Sequence, residues 1–196
     1  MNRRIFLALV HYPVLDRRGQ LLASAVTNVD IHDLARSART FGAQGVYIVT
    51  PVTLQQRMVE EVLDHWTKGD GAAHIRRAEA LQRVAVAASL EAAAIDIAER
   101  TGLAPVTAVT GAQMLAPTHS FAQMRRELRA PDGPPVLLAF GTSWGLAPQI
   151  IESAQIRLPP VGRDPALQGD EPRYNHLSVR AAVAIVLDRL LGDTQP

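Results

Sequence analysis

The chain contains no cysteine. Disulfides, thiolate nucleophiles and thiolate metal sites are therefore excluded. Lysine is nearly absent as well: of 20 basic residues only Lys68 is lysine, so arginine at any one position says little by itself. Neither sign of charge dominates. The net charge is +1, and no global basic field advertises a polyanionic partner. No apolar run approaches the roughly 18 residues of a membrane span. Ile5–Val10, closed by His11 and Pro13, is too short for a signal peptide, and the expected location is the cytoplasm. His11, His32, His65, His74, His119 and His176 show no ligand-type spacing, so no metal is expected. There is no G-x-G-x-x-G after the first strand and no G-x-x-x-x-G-K-[ST], which removes the usual dinucleotide and P-loop sites.

What remains suits one domain over residues 1–196, with 47% hydrophobic residues to build its core. Arg4–His11 (RIFLALVH) is continuously apolar, as a strand buried on both faces must be. Pro13–Gln20 reads as a polar loop. Gly45–Thr50, Val84–Ala87, Pro105–Thr110, the run VLLAF after Pro135, and Ile156–Leu158 read as further strands. Between them, Ile31, Leu34, Ala35, Ala38 and Phe41 line one face of a helix, with Asp30 as N-cap and Gly42 or Gly45 as stop. Asp33 and Arg36 on its other side suit a surface pair. Leu54, Met58, Val62 and Leu63 mark a second helix over Thr53–Trp66, followed by a loop over Lys68–Ala73. Ser89 opens a third helix, Phe121–Leu128 is a short basic one, and Gln149–Ala154 another. Alternating strands and helices predict an α/β fold, a mostly parallel sheet with helices on both faces. Ligands of such sheets bind beyond the carboxyl ends of the strands.

The last helix, within Arg173–Gly192, is apolar nearly all round. Val179, Val183, Val186, Leu187, Leu190 and Leu191 line one side, and Leu177, Ala181, Ala184 and Ile185 the other. Such a helix is buried in a core or a subunit interface. Asn175 or Ser178 ahead of it suits a cap, or a ligand contact at the free N–H groups. One motif points to hydrolysis: Gly141-Thr-Ser143-Trp-Gly145 matches G-x-S-x-G after a strand, and Ser143, Asp164 or Asp170, and His176 follow in hydrolase order. Pro148 argues against it, falling where the elbow helix would already be running.

Taken together, LARSARTFGAQGVYIVTP, AFGTSWGL and YNHLSVRAAVAIVLDRL resemble the three motifs of the SPOUT class of RNA methyltransferases. The likeness is greatest to small stand-alone SPOUT proteins, sometimes fused to tRNA guanine-N1 methyltransferase, whose pattern includes TNVDIHD, GTxWGL and YNHLSVR. The resemblance implies a C-terminal trefoil knot, a homodimer and bound S-adenosylmethionine. By position the cofactor would be held by Thr110 and Gly111, by Phe140, Gly141, Gly145 and Leu146, and by Leu158 and Pro159 with Asn175, His176, Leu177, Ser178 and Val179. It also implies an RNA substrate, tRNA ahead of rRNA. Arg36 matches the arginine that ribose methyltransferases of the class use at the acceptor, but Asn28 stands two residues further from it than the usual partner asparagine. Guanine N1 would instead want a carboxylate base, for which Asp164 or Asp170 is placed. Arg17, Arg18, Arg36, Arg39, Arg125, Arg126 and Arg129 are either a phosphate-contacting surface or solvated helix faces. The rival readings are a cofactor- or RNA-binding SPOUT protein without activity and the Ser143 hydrolase.

Overall fold

The computed structural model describes residues 4–130, 132–164, 166 and 174–193. Its centre is β1 (Ile5–Val10), six residues long and buried throughout. Alternation along β1 sends Ile5, Leu7 and Leu9 into one apolar layer and Phe6, Ala8 and Val10 into another. That division explains why the run has no polar position: neither face meets water.

Around β1 lie β4 (Gly45–Val49), β5 (Val84–Ala87), β6 (Val106–Thr110), β7 (Val136–Gly141) and β8 (Ile156–Arg157). They form one six-stranded sheet in the order β5-β4-β1-β7-β6-β8, every pair parallel. The chain builds outward from β1 through β4 to β5, crosses over to β6, and then inserts β7 between β6 and β1. The direction of winding therefore switches at β1, where Val10 is level with Gly141 and Phe140 with Thr110.

One face of the sheet carries α1 (Asn28–Phe41), α2 (Thr53–Thr67), α3 (Ile75–Leu81), α5 (Phe121–Arg129) and α7 (Val179–Leu191), whose apolar sides join one core. The other carries α4 (Leu90–Thr101) and α6 (Pro148–Ser153). Among the described residues no helix is long and apolar enough to cross a membrane.

Several local expectations shift. Thr27, not Asp30, caps α1: its hydroxyl accepts from the Asp30 N–H, and Gly42 closes the helix in the left-handed conformation. The polar segment after β1 folds into a small hairpin of β2 (Val14–Leu15) and β3 (Leu21–Leu22). On α2 the fully buried residue is Val59, while Leu54 is 75% exposed. Asp70–Ala73 is a 3-10 turn leading into α3, an element the sequence pattern does not reveal. Both α1 and α5 pack on α7, which accounts for much of its two-sided apolarity.

Candidate functional site

A cleft of about 900 Å³ opens at the carboxyl edge, where β1, β6 and β7 end side by side. Three loops converge on it. After β6 come Thr110 and Gly111; after β7 come Phe140, Gly141, Gly145 and Leu146; ahead of α7 come Asn175, His176, Leu177, Ser178 and Val179. Sequence reasoning named all of these. It also named Leu158 and Pro159, which do not line the cleft. Leu158 is fully buried in the core beneath it, and Pro159 acts through its carbonyl, which accepts from Thr110 Oγ1 at 3.1 Å.

The β7 turn is tightly constructed. Gly145 has φ +109°, a region open only to glycine, and Ser143 has φ +54°. A bridge between Leu146 and Val14, and hydrogen bonds from Leu15 N to Gly145 O and from Trp144 N to Leu15 O, fasten the turn to the hairpin. These contacts correct the hydrolase reading. After Ser143 the chain pairs with Val14 before α6 begins at Pro148, so Ser143 does not stand at a helix N-terminus that would stabilise an oxyanion. Ser178 caps α7 by accepting from Ala181 N, and Asn175 reaches across to donate to Ala112 O at 3.0 Å, tying the third loop to the first.

The remaining wall of the cleft has charged and polar groups that the sequence reading missed. Asp30 is 5% exposed, accepts from Thr27 Oγ1 and pairs with Arg180 Nη1 at 2.7 Å; Arg180 Nε lies 3.4 Å from Asp33. Asp30 and Arg180 line the cleft, along with Ser24, Thr142 and the half-exposed Trp144. Behind them His11 is sealed from solvent, its Nδ1 3.0 Å from Ser24 Oγ, which in turn shares a hydrogen bond with Thr142 Oγ1. Burial outweighs the pull of the Asp30 charge and lowers His11 to about 4. Unfolded, the ring takes a proton near 6.5, so the neutral native His11 contributes stability above that pH and loses it as pH falls towards 4. Urea unfolding should show a loss of about 2 kcal/mol between pH 7 and pH 5 from this group, flattened in His11→Gln.

The described candidates for acceptor chemistry, Arg36 and Asp164, do not line this cleft. Arg36 is exposed on α1 and lines a separate groove with residues of α3. Asp164 is exposed and its Oδ1 closes a local turn by accepting from Ala166 N. Asp170 lies outside the described residues. Among the basic residues, Arg125 is occupied within the fold, donating to the carbonyls of Arg189 and Gly192 at the end of α7.

Residues 4–192 match the family described as SAM-dependent RNA methyltransferase. The chain is 44% identical to a tRNA (guanine-N(1)-)-methyltransferase of Oleidesulfovibrio alaskensis, over 98% of this chain but only 43% of the relative. It thus spans less than half the length of that protein. An uncharacterized Aquifex aeolicus protein is 34% identical over 98% of this chain and 90% of its own length. Among solved structures, the SpoU methyltransferase AviRb from Streptomyces viridochromogenes, in complex with AdoMet, superposes with a TM-score of 0.56 at 14% identity, covering 97% of this chain and 60% of that one. The last likeness is one of fold, and the fold is that of the SPOUT methyltransferases. The family match runs over nearly the whole chain, and the chain belongs to the SAM-dependent RNA methyltransferases.

Proposed function

We propose that residues 1–196 act as one domain that methylates RNA in the cytoplasm, with S-adenosylmethionine held in the carboxyl-edge cleft. The observation that carries this reading is the convergence of three strand-end loops on one cleft. Its volume suits a ligand of that size, and its lining has the right chemistry: apolar Phe140, Leu146, Leu177 and Val179 for a flat adenine, and a few polar groups to orient the rest. When bound, the cofactor supplies an electrophilic methyl on a sulfonium. The chain supplies the rest. The glycine turn and the Asn175 tether hold the three loops at fixed spacing, and Trp144 at the mouth offers a ring on which an acceptor base stacks. The name of the 44% identical relative supports tRNA as substrate class. Guanine N1 as acceptor needs a carboxylate to take its proton. Asp164 and Asp170 remain the loop candidates, and the structure adds Asp30 inside the cleft.

Arg36 does not line the cleft of its own chain, so a role at the acceptor requires a second copy to deliver it. A homodimer built on α1 and the segment just ahead of α7 fits that need, since Val29 and Leu177 there are 54% and 45% exposed. The test is calorimetric titration with S-adenosylmethionine and S-adenosylhomocysteine, followed by transfer of labelled methyl to bulk bacterial tRNA and rRNA. Binding of both compounds, and labelling of tRNA that Arg36→Ala abolishes while cofactor affinity stays, is the expected result. Binding without transfer to either RNA would favour a non-catalytic cofactor-binding protein. No binding of either compound would overturn the reading.

A further inference from the structure

A second groove, of about 950 Å³, lies between α1 and α3, away from the cofactor cleft. Arg36 and Arg39 line it from α1, and His74, Arg76 and Arg77 from the opposite side. Its single acid is Glu79. The groove thus gathers an excess of three positive charges on a chain whose net charge is +1. Arg39 is held by Glu79, its Nε donating at 2.9 Å. Arg36 and Arg76 make no hydrogen bond or ion pair among the described residues.

The wall of the groove is built rather than incidental. The Arg77 guanidinium lies 4.5 Å from the centre of the Trp66 ring, which also meets His32 edge-on at 5.3 Å and His74 at 5.7 Å. Gly71 lets α3 begin against that ring: a Cβ there would come within 2.8 Å of Trp66 Cε3. Trp66 therefore fixes His74 and Arg77 facing Arg36. The crowding of cations is felt by their neighbour. His32 is held below its usual value by burial first, then by Arg77, with Arg36 adding to it and Asp33 opposing. Of the groove's arginines only Arg39 has its charge met by an acid among the described residues, and the net positive charge left by Arg36, Arg76 and Arg77 is stabilised by an external polyanion.

We propose that this groove docks the phosphate backbone of the RNA substrate, apart from the methyl-transfer cleft of its own chain. The proposal rests on the RNA methyltransferase reading, and the experiment separates the two. Binding of bulk bacterial tRNA is measured across a series of salt concentrations, with cofactor titration and thermal unfolding as controls on fold. Arg76→Glu, an exposed residue without partners among the described residues, should weaken tRNA binding roughly tenfold and lower the slope of log affinity against log salt by about one. Adding Arg77→Glu should deepen both effects. Glu79→Gln removes the groove's acid and should tighten binding, a gain that a merely structural role would not produce. Cofactor affinity should stay unchanged in all three variants. If wild-type protein binds tRNA while Arg76→Glu and the double variant bind it equally well with the same salt slope, the groove proposal fails and the RNA methyltransferase reading stands. If wild type binds the cofactor but neither tRNA nor rRNA at any salt, both fail. Equal affinity for polyglutamate would assign the groove to an acidic protein instead and overturn the RNA assignment.

Discussion

Arg180→Ala should destabilise the protein by about 3 kcal/mol, lowering the melting temperature by roughly 6–12 °C. The reason lies with its partner. The Asp30 side chain is 8% exposed and depends on Arg180 Nη1 at 2.7 Å for its countercharge, with Thr27 Oγ1 as its other donor. Truncation leaves a carboxylate that water barely reaches. The figure sits at the low end of the range for broken buried pairs, since the Arg180 side chain is 35% exposed and solvent screens part of the interaction. The pair also joins the first turn of α1 to the first turn of α7, on the cleft wall. Pairing Arg180→Met with Asp30→Asn should restore most of the lost stability, because no unpaired charge is then buried. Urea denaturation at neutral pH checks this. A loss below about 1 kcal/mol for Arg180→Ala would mean that Asp30 is solvated.

Gly141→Ala should lower S-adenosylmethionine affinity at least tenfold, about 1.4 kcal/mol or more, and cost the fold about 1–3 kcal/mol besides. A Cβ on Gly141 would stand 2.5 Å from Leu146 N and 2.8 Å from Gly145 C. Both are backbone atoms, so no side chain can swing away. The turn has to move, and the hairpin is fastened to it through Leu15 and Val14. Phe140, Gly145 and Leu146 then leave their places in the cleft together. Gly111→Ala is the control for stability, since a Cβ there meets nothing within 4 Å. Calorimetric titration and thermal unfolding of the two variants measure the difference.

The parts of this architecture that sequence reveals are those written in local periodicity. Strands such as IFLALV and VLLAF are legible because burial on both faces removes every polar position. The glycine turn after β7 and the polar segment before α7 are legible because each lies at a strand or helix end, where a ligand-binding loop has to be. Elements too short for a period escape: β2 and β3 have two residues each, and α3 has only seven. Thr27 and Asp30 are both good capping types one turn apart, so sequence alone does not separate the cap from the residue beside it. Asp30 is instead a cleft residue, held by a partner 150 positions away. Nothing local announces such a pair. Arg36 matches an acceptor arginine by resemblance alone, and only the packing of α1 against α3 sets it in a groove outside its own cleft.

The insertion of β7 between β1 and β6 constrains the order in which the chain can assemble. During synthesis β1, β4 and β5 can pair as soon as they emerge, but β1 and β6 cannot be joined in the sheet until residues 136–141 arrive. Until then β1 keeps an apolar, unpaired edge, an aggregation-prone surface on the nascent chain. The last central ladder to form joins residues more than a hundred positions apart, and such distant pairing is slow. The strand that positions the cofactor turn is thus also the one that fills the gap at the centre of the sheet, and binding competence arrives only after that gap is closed.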